Sequence, residues 1–314
     1  EEFTVEQALM AVMLQSANEM TLAIAEQTSG SVKKFVELMN LKARQLGCTN
    51  THFNNPNGLP DENHYTTASD MAKIAKSAWL NPLFRRYCTK RYYEIPPTNK
   101  FTEARQLLNH HKMMKNGEYY YEGVRGGKTG YTSEAGNTLV TAVEKNGTTY
   151  IAVTMKAADL AIASTDSTAM FNYGYQNFTK LQVNGGEVLV PNGVTVDNLT
   201  VREEPSDGEI IDNYYYGDYM VGSVTVPEAT PTPEPAADTV LEKGTADSSD
   251  AGQSVGTDTS ESTDEEVQES SQNSKSSAGI PQLRKILLGI GAAMILLLII
   301  LLIALSKKEK KYYR

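Results

Sequence analysis

The chain has 314 residues, 29 of them basic and 38 acidic, for a net charge of −9. That length accommodates one or two globular domains, and a content of 40% hydrophobic and 21% charged residues excludes a wholly disordered protein. The acidic balance argues against nucleic acid as the main partner. The acidity is also local: residues 227–281 carry 12 acidic and 2 basic side chains, whereas residues 282–314 carry 7 basic and 1 acidic.

Thr4-Val-Glu-Gln7 fits a capping box ahead of Ala8, Leu9, Val12 and Met13, so a helix is predicted to start there. Its apolar stripe stops at Gln15-Ser16-Ala17-Asn18 and resumes at Met20, Leu22, Ala23 and Ile24, which predicts a short turn exposing Ser16 and Asn18. A further helix is predicted over 31–46, with Val32, Phe35, Val36, Met39, Ala43 and Leu46 inward and Gly47 as its C-terminal cap. Asn54-Asn-Pro-Asn-Gly58 reads as loop. Met71, Ile74, Ala75 and Ala78 predict a helix over 67–79 that ends at Asn81-Pro82.

Beyond that point the period shortens. Arg91-Tyr-Tyr-Glu-Ile95 reads as a strand. Residues 123–132 read as another, lying beside a hairpin of Thr138–Glu144 and Thr148–Met155 that turns at Asn146-Gly147. Residues 164–178 return to helix, with Met170, Phe171, Tyr175 and Phe178 apolar. Helices, then an antiparallel sheet, then a helix give an α+β layered fold over residues 1–178. Residues 181–226, rich in Val, Ile, Thr and Tyr in short alternating runs, read as a small all-β module.

Residues 227–281 hold too few apolar side chains to offset the entropy of ordering, so an acidic, disordered stalk is expected there. Residues 286–305, ILLGIGAAMILLLIILLIAL, carry no charge over 20 positions. As a helix they span roughly 30 Å, the thickness of a bilayer core, so a transmembrane helix is expected. Arg284-Lys285 precede it and a basic tail, 306–314, follows. The heavier basic flank places the C-terminus in the cytoplasm and the rest of the chain outside, in a single-pass membrane protein. The chain opens on Glu1-Glu2, without Met or an export signal, so a processed or N-terminally truncated sequence is expected.

Two cysteines, Cys48 and Cys88, leave both a disulfide and two separate thiols open. His52, His64, His110 and His111 lack metal-ligand spacing, with His110-His111 read as part of a polar loop, and no metal, nucleotide or organic cofactor is implied.

Two short motifs stand out together: Ser16-Ala17-Asn18 between helices and Lys128-Thr129-Gly130 on a strand, 112 residues later. In this order and on these elements they match two of the three motifs of the penicillin-interacting serine enzymes. The surrounding text, TVEQALMAVMLQSANEM, HFNNPNGLPDENHYTTASDMAKIAKSA and YEGVRGGKTGYTSEAGNTLVTAV, resembles consecutive blocks of the low-molecular-mass D-alanyl-D-alanine carboxypeptidases over residues 3–178.

That resemblance implies the C-terminal part of a penicillin-binding, β-lactamase-like transpeptidase domain. It implies removal of the terminal D-alanine from peptidoglycan stem peptides through an acyl-enzyme, with β-lactams as inhibitors and the membrane as a further partner. Ser16 would be the second serine, relaying a proton to the leaving amine. Asn18 would hydrogen-bond the substrate backbone or the catalytic lysine. Lys128 would set a positive charge near Ser16 and the terminal carboxylate, and Thr129 would offer that carboxylate a hydroxyl. Gly126, Gly127 and Gly130 would let a substrate strand lie close. A backbone N–H near Tyr131 or Thr132 would serve the oxyanion.

Two departures from the family pattern are expected to matter. The nucleophile motif, Ser-x-x-Lys, does not precede Ser16, and the Ser31-Val32-Lys33-Lys34 string sits where the family has a scaffold helix. The 314 residues alone are therefore expected to be inactive and to form no penicilloyl ester. No arginine occurs near Lys156-Ala-Ala-Asp159, where some members bind the terminal carboxylate, and Lys156 could replace it only as a point charge. The alternatives are a β-lactamase of the same fold, for which Glu37-Leu-Met-Asn40 is the only vaguely similar string, and a non-catalytic surface protein that binds wall peptides.

Overall fold

The computed structural model describes residues 1–206 and 209–227. The acidic stalk, the apolar run and the basic tail expected from the sequence lie outside the described residues, apart from Pro227 at the start of the stalk. Among the described residues, no helix is long and apolar enough to cross a membrane.

Thr4 starts the first helix as the capping box requires. Its hydroxyl accepts from the Gln7 N–H, and the Gln7 side chain accepts from the Thr4 N–H at 2.8 Å. The helix, α1, runs Val5–Gln15, and Ala8 to Leu14 are buried without a break. A helix apolar all round belongs inside a core, and α1 packs against the helices and strands around it. It stops at Ser16, which takes left-handed backbone angles of φ 55° and ψ 41°. Ala17 precedes α2 (Asn18–Ser29), so only two residues separate the helices. The expected short turn is present, with Asn18 as the first residue of α2.

α3 (Val32–Gln45) is capped by the Ser31 hydroxyl, which accepts from the Lys34 N–H. α4 (Ala68–Leu80) is capped by Thr67. α5 (Pro82–Cys88) was not expected. Pro82 reads as the stop of α4, but it is also the first residue of the next helix, where its missing N–H costs nothing. Asn81 caps that helix by accepting from the N–H groups of Leu83 and Phe84.

A short antiparallel pair, β1 (Tyr92–Ile95) and β2 (Arg105–Leu108), follows, and of these β2 carries no strong pattern in the sequence. The main sheet has the order β3-β4-β5, all antiparallel: β3 (Val124–Thr132), β4 (Gly136–Lys145) and β5 (Thr148–Ala157). Its register sets Lys128 opposite Val140 and Thr129 opposite Leu139.

Thr138 to Val143 are all buried, so β4 is covered on both faces. Val140 and Ala142 join the core of α1, α3, α4 and α5. Leu139 and Val143 join Ala163 and Phe171 of α6 (Leu160–Asn177). The result is a helix–sheet–helix layering, the expected α+β arrangement with antiparallel strands. α6 begins four residues earlier than the sequence pattern predicts, because Asp159 caps it by accepting from the Ile162 N–H at 2.7 Å. Met170 on this helix is exposed.

Strands fill the rest of the described chain. β6 (Phe178–Val183) and β7 (Gly186–Pro191) form a hairpin, and β8 (Thr200–Ser206), β9 (Glu209–Tyr216) and β10 (Tyr219–Pro227) form a second sheet in the order β10-β9-β8. Val188, Val190, Tyr214 and Val224 build an apolar cluster of their own. Cys48 and Cys88 are both free and buried.

Candidate active site

Three segments converge on one cleft: the α1–α2 junction, the second half of β3, and the chain from Asn109 to Gly117. The cleft has a volume of about 890 Å³, and Ser16, Asn18, Thr129, Gly130, Tyr131 and Thr132 line one side of it. The two motifs picked out in the sequence, 112 residues apart, are therefore neighbours in space.

Lys128 lies beneath this floor and is only 3% exposed. Its ammonium donates to Ser16 Oγ at 2.6 Å and to the Thr129 carbonyl at 2.8 Å. No carboxylate lies within ion-pair distance of it among the described residues. Burial without a counter-charge pushes its pKa down from 10.5 to about 8, because a desolvated cation is costly. At neutral pH it remains mostly protonated and holds one unneutralised positive charge under the cleft.

Local backbone explains how Ser16 meets it. The left-handed turn at Ser16 ends α1 while its N–H still bonds the Val12 carbonyl, and that swings Oγ out of the helix and towards β3. A non-glycine residue held in this region stores strain, and such strain concentrates at functional sites.

The glycines divide. Gly130 lines the cleft as expected. Gly126 and Gly127 do not: a Cβ on Gly126 would overlap the Cys88 carbonyl, and one on Gly127 would overlap the Val140 carbonyl. These two residues let α5 and β4 approach the back of β3, so the expectation that they make room for substrate is corrected.

The segment Asn109–Gly117 is the wall that sequence reasoning missed. Two buried methionines, Met113 and Met114, anchor it, while His110, Lys112, Lys115 and Asn116 line the cleft. Asn109 ties it back by donating to the Lys90 carbonyl at 2.9 Å and accepting from the His111 N–H. The expected polar loop holds only for His110. His111 is buried, with Nε2 3.0 Å from Thr141 Oγ1, and burial brings its pKa down to about 4, so it is neutral. Among the described residues there is no cluster able to hold a metal.

Lys156 is exposed and does not line the cleft. Ser31, the cap of α3, and Glu37, on α3, are also outside it.

The comparisons with known proteins agree with this geometry. A family profile described as D-alanyl-D-alanine carboxypeptidase matches residues 1–159. The chain is 35% identical over 178 residues to the D-alanyl-D-alanine carboxypeptidase DacF of Bacillus subtilis, covering 57% of this chain and 44% of that protein. It is 31% identical over 184 residues to the D-alanyl-D-alanine carboxypeptidase of Streptomyces sp. strain K15, covering 56% of this chain and 62% of that one. It thus spans less than two thirds of the length of these curated relatives. Among solved structures, the Streptomyces K15 DD-transpeptidase superposes with a TM-score of 0.52 at 30% identity, over 55% of this chain and 68% of that one. Penicillin binding protein 5 from Haemophilus influenzae superposes with a TM-score of 0.56 over 72% of this chain and 73% of that one, and at 24% identity it speaks for the fold alone. With half of its length matched by the family profile, the chain belongs to the D-alanyl-D-alanine carboxypeptidase family.

Proposed function

We propose that this chain is part of a serine-type D-Ala-D-Ala carboxypeptidase that trims peptidoglycan stem peptides and is inhibited by β-lactams. The observation that carries the reading is the 2.6 Å hydrogen bond from Lys128 to Ser16 at the floor of an open cleft. In this reading the Lys128 ammonium, already bonded to two oxygens, has a third N–H for the terminal carboxylate of the peptide. Thr129 adds a hydroxyl, and Gly130 leaves room for the substrate backbone. Ser16 passes a proton towards the leaving amine while Lys128 keeps its hydroxyl oriented. Asn18 holds the peptide backbone on the acyl side, and a backbone N–H at Tyr131 or Thr132 serves the oxyanion.

Ser16 is the relay and not the nucleophile, and Ser31 is a helix cap outside the cleft. The 314 residues are therefore expected to bind the peptide without forming an ester. The β-lactamase reading is weaker, because Glu37 does not line the cleft.

The domain reading completes the proposal. Residues 1–178 form the peptidase part, 181–226 a small β module supported by its own apolar cluster, and 227–281 a stalk. Residues 286–305 form an anchor, and 306–314 a cytoplasmic tail. The peptidase part then faces the wall outside the membrane.

The test is stereoselective binding. In neutral detergent the chain is expected to bind a peptide ending in D-Ala-D-Ala more tightly than its L-Ala-L-Ala counterpart, and Lys128→Met is expected to abolish the difference. Equal binding of both peptides would refute the reading. A stable label from a fluorescent penicillin would refute the assignment of Ser16 as relay only.

A further inference from the structure

The proposed chemistry gives the substrate a direction along β3. The oxyanion donors lie at Tyr131 and Thr132 and the terminal carboxylate at Lys128 and Thr129. The peptide therefore runs antiparallel to β3, and its leaving residue points towards Val124.

In that direction the cleft adjoins a second cavity of about 490 Å³, which reaches Val124 and Arg125. Arg91, Met114 and Lys115 line both. The charge along this shared wall has one sign. No Asp or Glu lines the first cleft, which carries Arg91, Lys112 and Lys115. The second adds Arg85, Arg86 and Arg125 around one carboxylate, Glu144, and that carboxylate is already bonded to Arg125 at 3.1 Å. Arg86 is paired with Glu6 at 3.0 Å. Arg91, Lys112 and Lys115 have no ion-pair partner among the described residues.

These cations are presented on fixed backbone. Met113 and Met114, next to Lys112 and Lys115 in the chain, are buried. The Arg91 carbonyl accepts from the Asn109 N–H at 2.9 Å, and the Lys112 carbonyl accepts from the Tyr119 N–H at 3.1 Å. The concentration is not a bulk effect, since residues 1–226 contain 25 acidic and 20 basic side chains. Lys156, which the sequence allows only as a point-charge substitute for an arginine of some family members, is outside the cleft.

We propose that Arg91, Lys112 and Lys115 form an anion subsite on the leaving side of the scissile bond, so that among terminal D-residues with a charged side chain the site favours a second carboxylate over a cation. The proposal rests on the D-Ala-D-Ala reading of the cleft and goes beyond it, because one terminal carboxylate is already met by Lys128 and Thr129. Long cationic side chains near the mouth of a cleft gain little from one exposed contact. Three of one sign, with no carboxylate lining the first cleft, act together on a ligand held between them.

The test is an NMR titration of the full chain in neutral detergent at pH 7 with four peptides that differ at the end: D-Ala-D-Ala, D-Ala-D-Glu, D-Ala-D-Lys and L-Ala-L-Ala. The D-Glu peptide is expected to bind roughly three- to ten-fold more tightly than the D-Lys peptide at low salt, with the gap closing at high ionic strength. Lys112→Met with Lys115→Met removes the preference, and Lys112→Arg with Lys115→Arg keeps it. Equal affinity for the D-Glu and D-Lys peptides, or a preference untouched by the methionine pair, overturns the subsite. If the L,L peptide binds as well as the D,D peptide while the charge preference persists, the reading of the cleft fails and the anion subsite stands as a separate site. Absence of binding by all four refutes both.

Discussion

Ser16 offers the sharpest test of how backbone geometry serves the site. It sits at φ 55°, ψ 41°, where an L side chain costs about 1–2 kcal/mol. Glycine there escapes that cost but gives back about 0.5–1 kcal/mol through the greater freedom of the unfolded chain. Both Ser16→Gly and Ser16→Ala remove the oxygen that accepts from Lys128 at 2.6 Å, and a buried charged donor losing one acceptor costs about 1–3 kcal/mol. Alanine keeps the strain and loses the bond; glycine loses both. Ser16→Ala is therefore expected to be the less stable variant, by about 0.5–1 kcal/mol, a difference of about 1–4 °C in midpoint for a domain of this size. Thermal unfolding followed by circular dichroism at pH 7 measures it, with peptide binding read in parallel. A glycine variant no more stable than the alanine variant would refute the claim that the backbone at Ser16 is strained. Peptide binding unchanged in both variants would refute the proposal that the Lys128–Ser16 bond carries the peptide site.

Three further outcomes are expected. The Lys128 ammonium titrates at about 8 in the folded chain against 10.5 ordinarily, so between these values the unfolded chain binds the extra proton and stability rises with pH, by up to about 3 kcal/mol from this group. Urea unfolding at pH 7.5 and 10 checks this as the difference between the wild type and Lys128→Met, because the buried Cys48 and Cys88 thiols, pushed up to about 11 and about 12, lower stability over the same window in both. His64 and His111 are both held down to about 4 by burial, so stability falls as pH drops from 6.5 towards 4, by up to about 3 kcal/mol for each. Unfolding midpoints at pH 4.5 and 7 should show that loss, and His111→Gln should reduce it. Gly126→Ala would press a methyl group into the Cys88 carbonyl and is expected to cost about 1–3 kcal/mol or more, visible as a lowered melting temperature, although the residue touches nothing in the cleft.

The legible parts of the sequence were those where chemistry is local. Thr4-Val-Glu-Gln7 announces its helix because the capping box is complete within four residues. Asn146-Gly147 announces its hairpin, since a tight turn between alternating strands leaves few other conformations. Pro82 was ambiguous in principle: the same ring that ends one helix begins the next, and only the cap at Asn81 decides. β2 was not legible because four residues, Arg105 to Leu108, hold their shape through pairing with β1 and not through any pattern of their own.

At the site the same division applies. Ser16 and Lys128 could be named because their motifs are short and specific. That they touch follows from the packing of α1 and β3 into one core, which no local signal carries. Asn109–Gly117 carries no sequence signal, because its apolar anchors, Met113 and Met114, are adjacent and give no periodicity. Glycine permits close approach, which in the sequence points Gly126 and Gly127 at a substrate, but the sequence does not say which backbone approaches.

The unneutralised charge of Lys128 has one more consequence, which concerns protons and not contacts. An anion arriving beside that amine supplies the counter-charge the protein does not, and the ammonium becomes harder to deprotonate. Above pH 8 the bare cleft has already begun to lose its proton. Ligand capture there must draw one back from solvent, so each binding event at alkaline pH consumes a fraction of a hydrogen ion. Calorimetry in two buffers of different ionisation enthalpy would register that uptake as a buffer-dependent heat, vanishing near pH 6. On the proposed peptide-binding reading, the cleft couples the capture of an anion to the uptake of a proton.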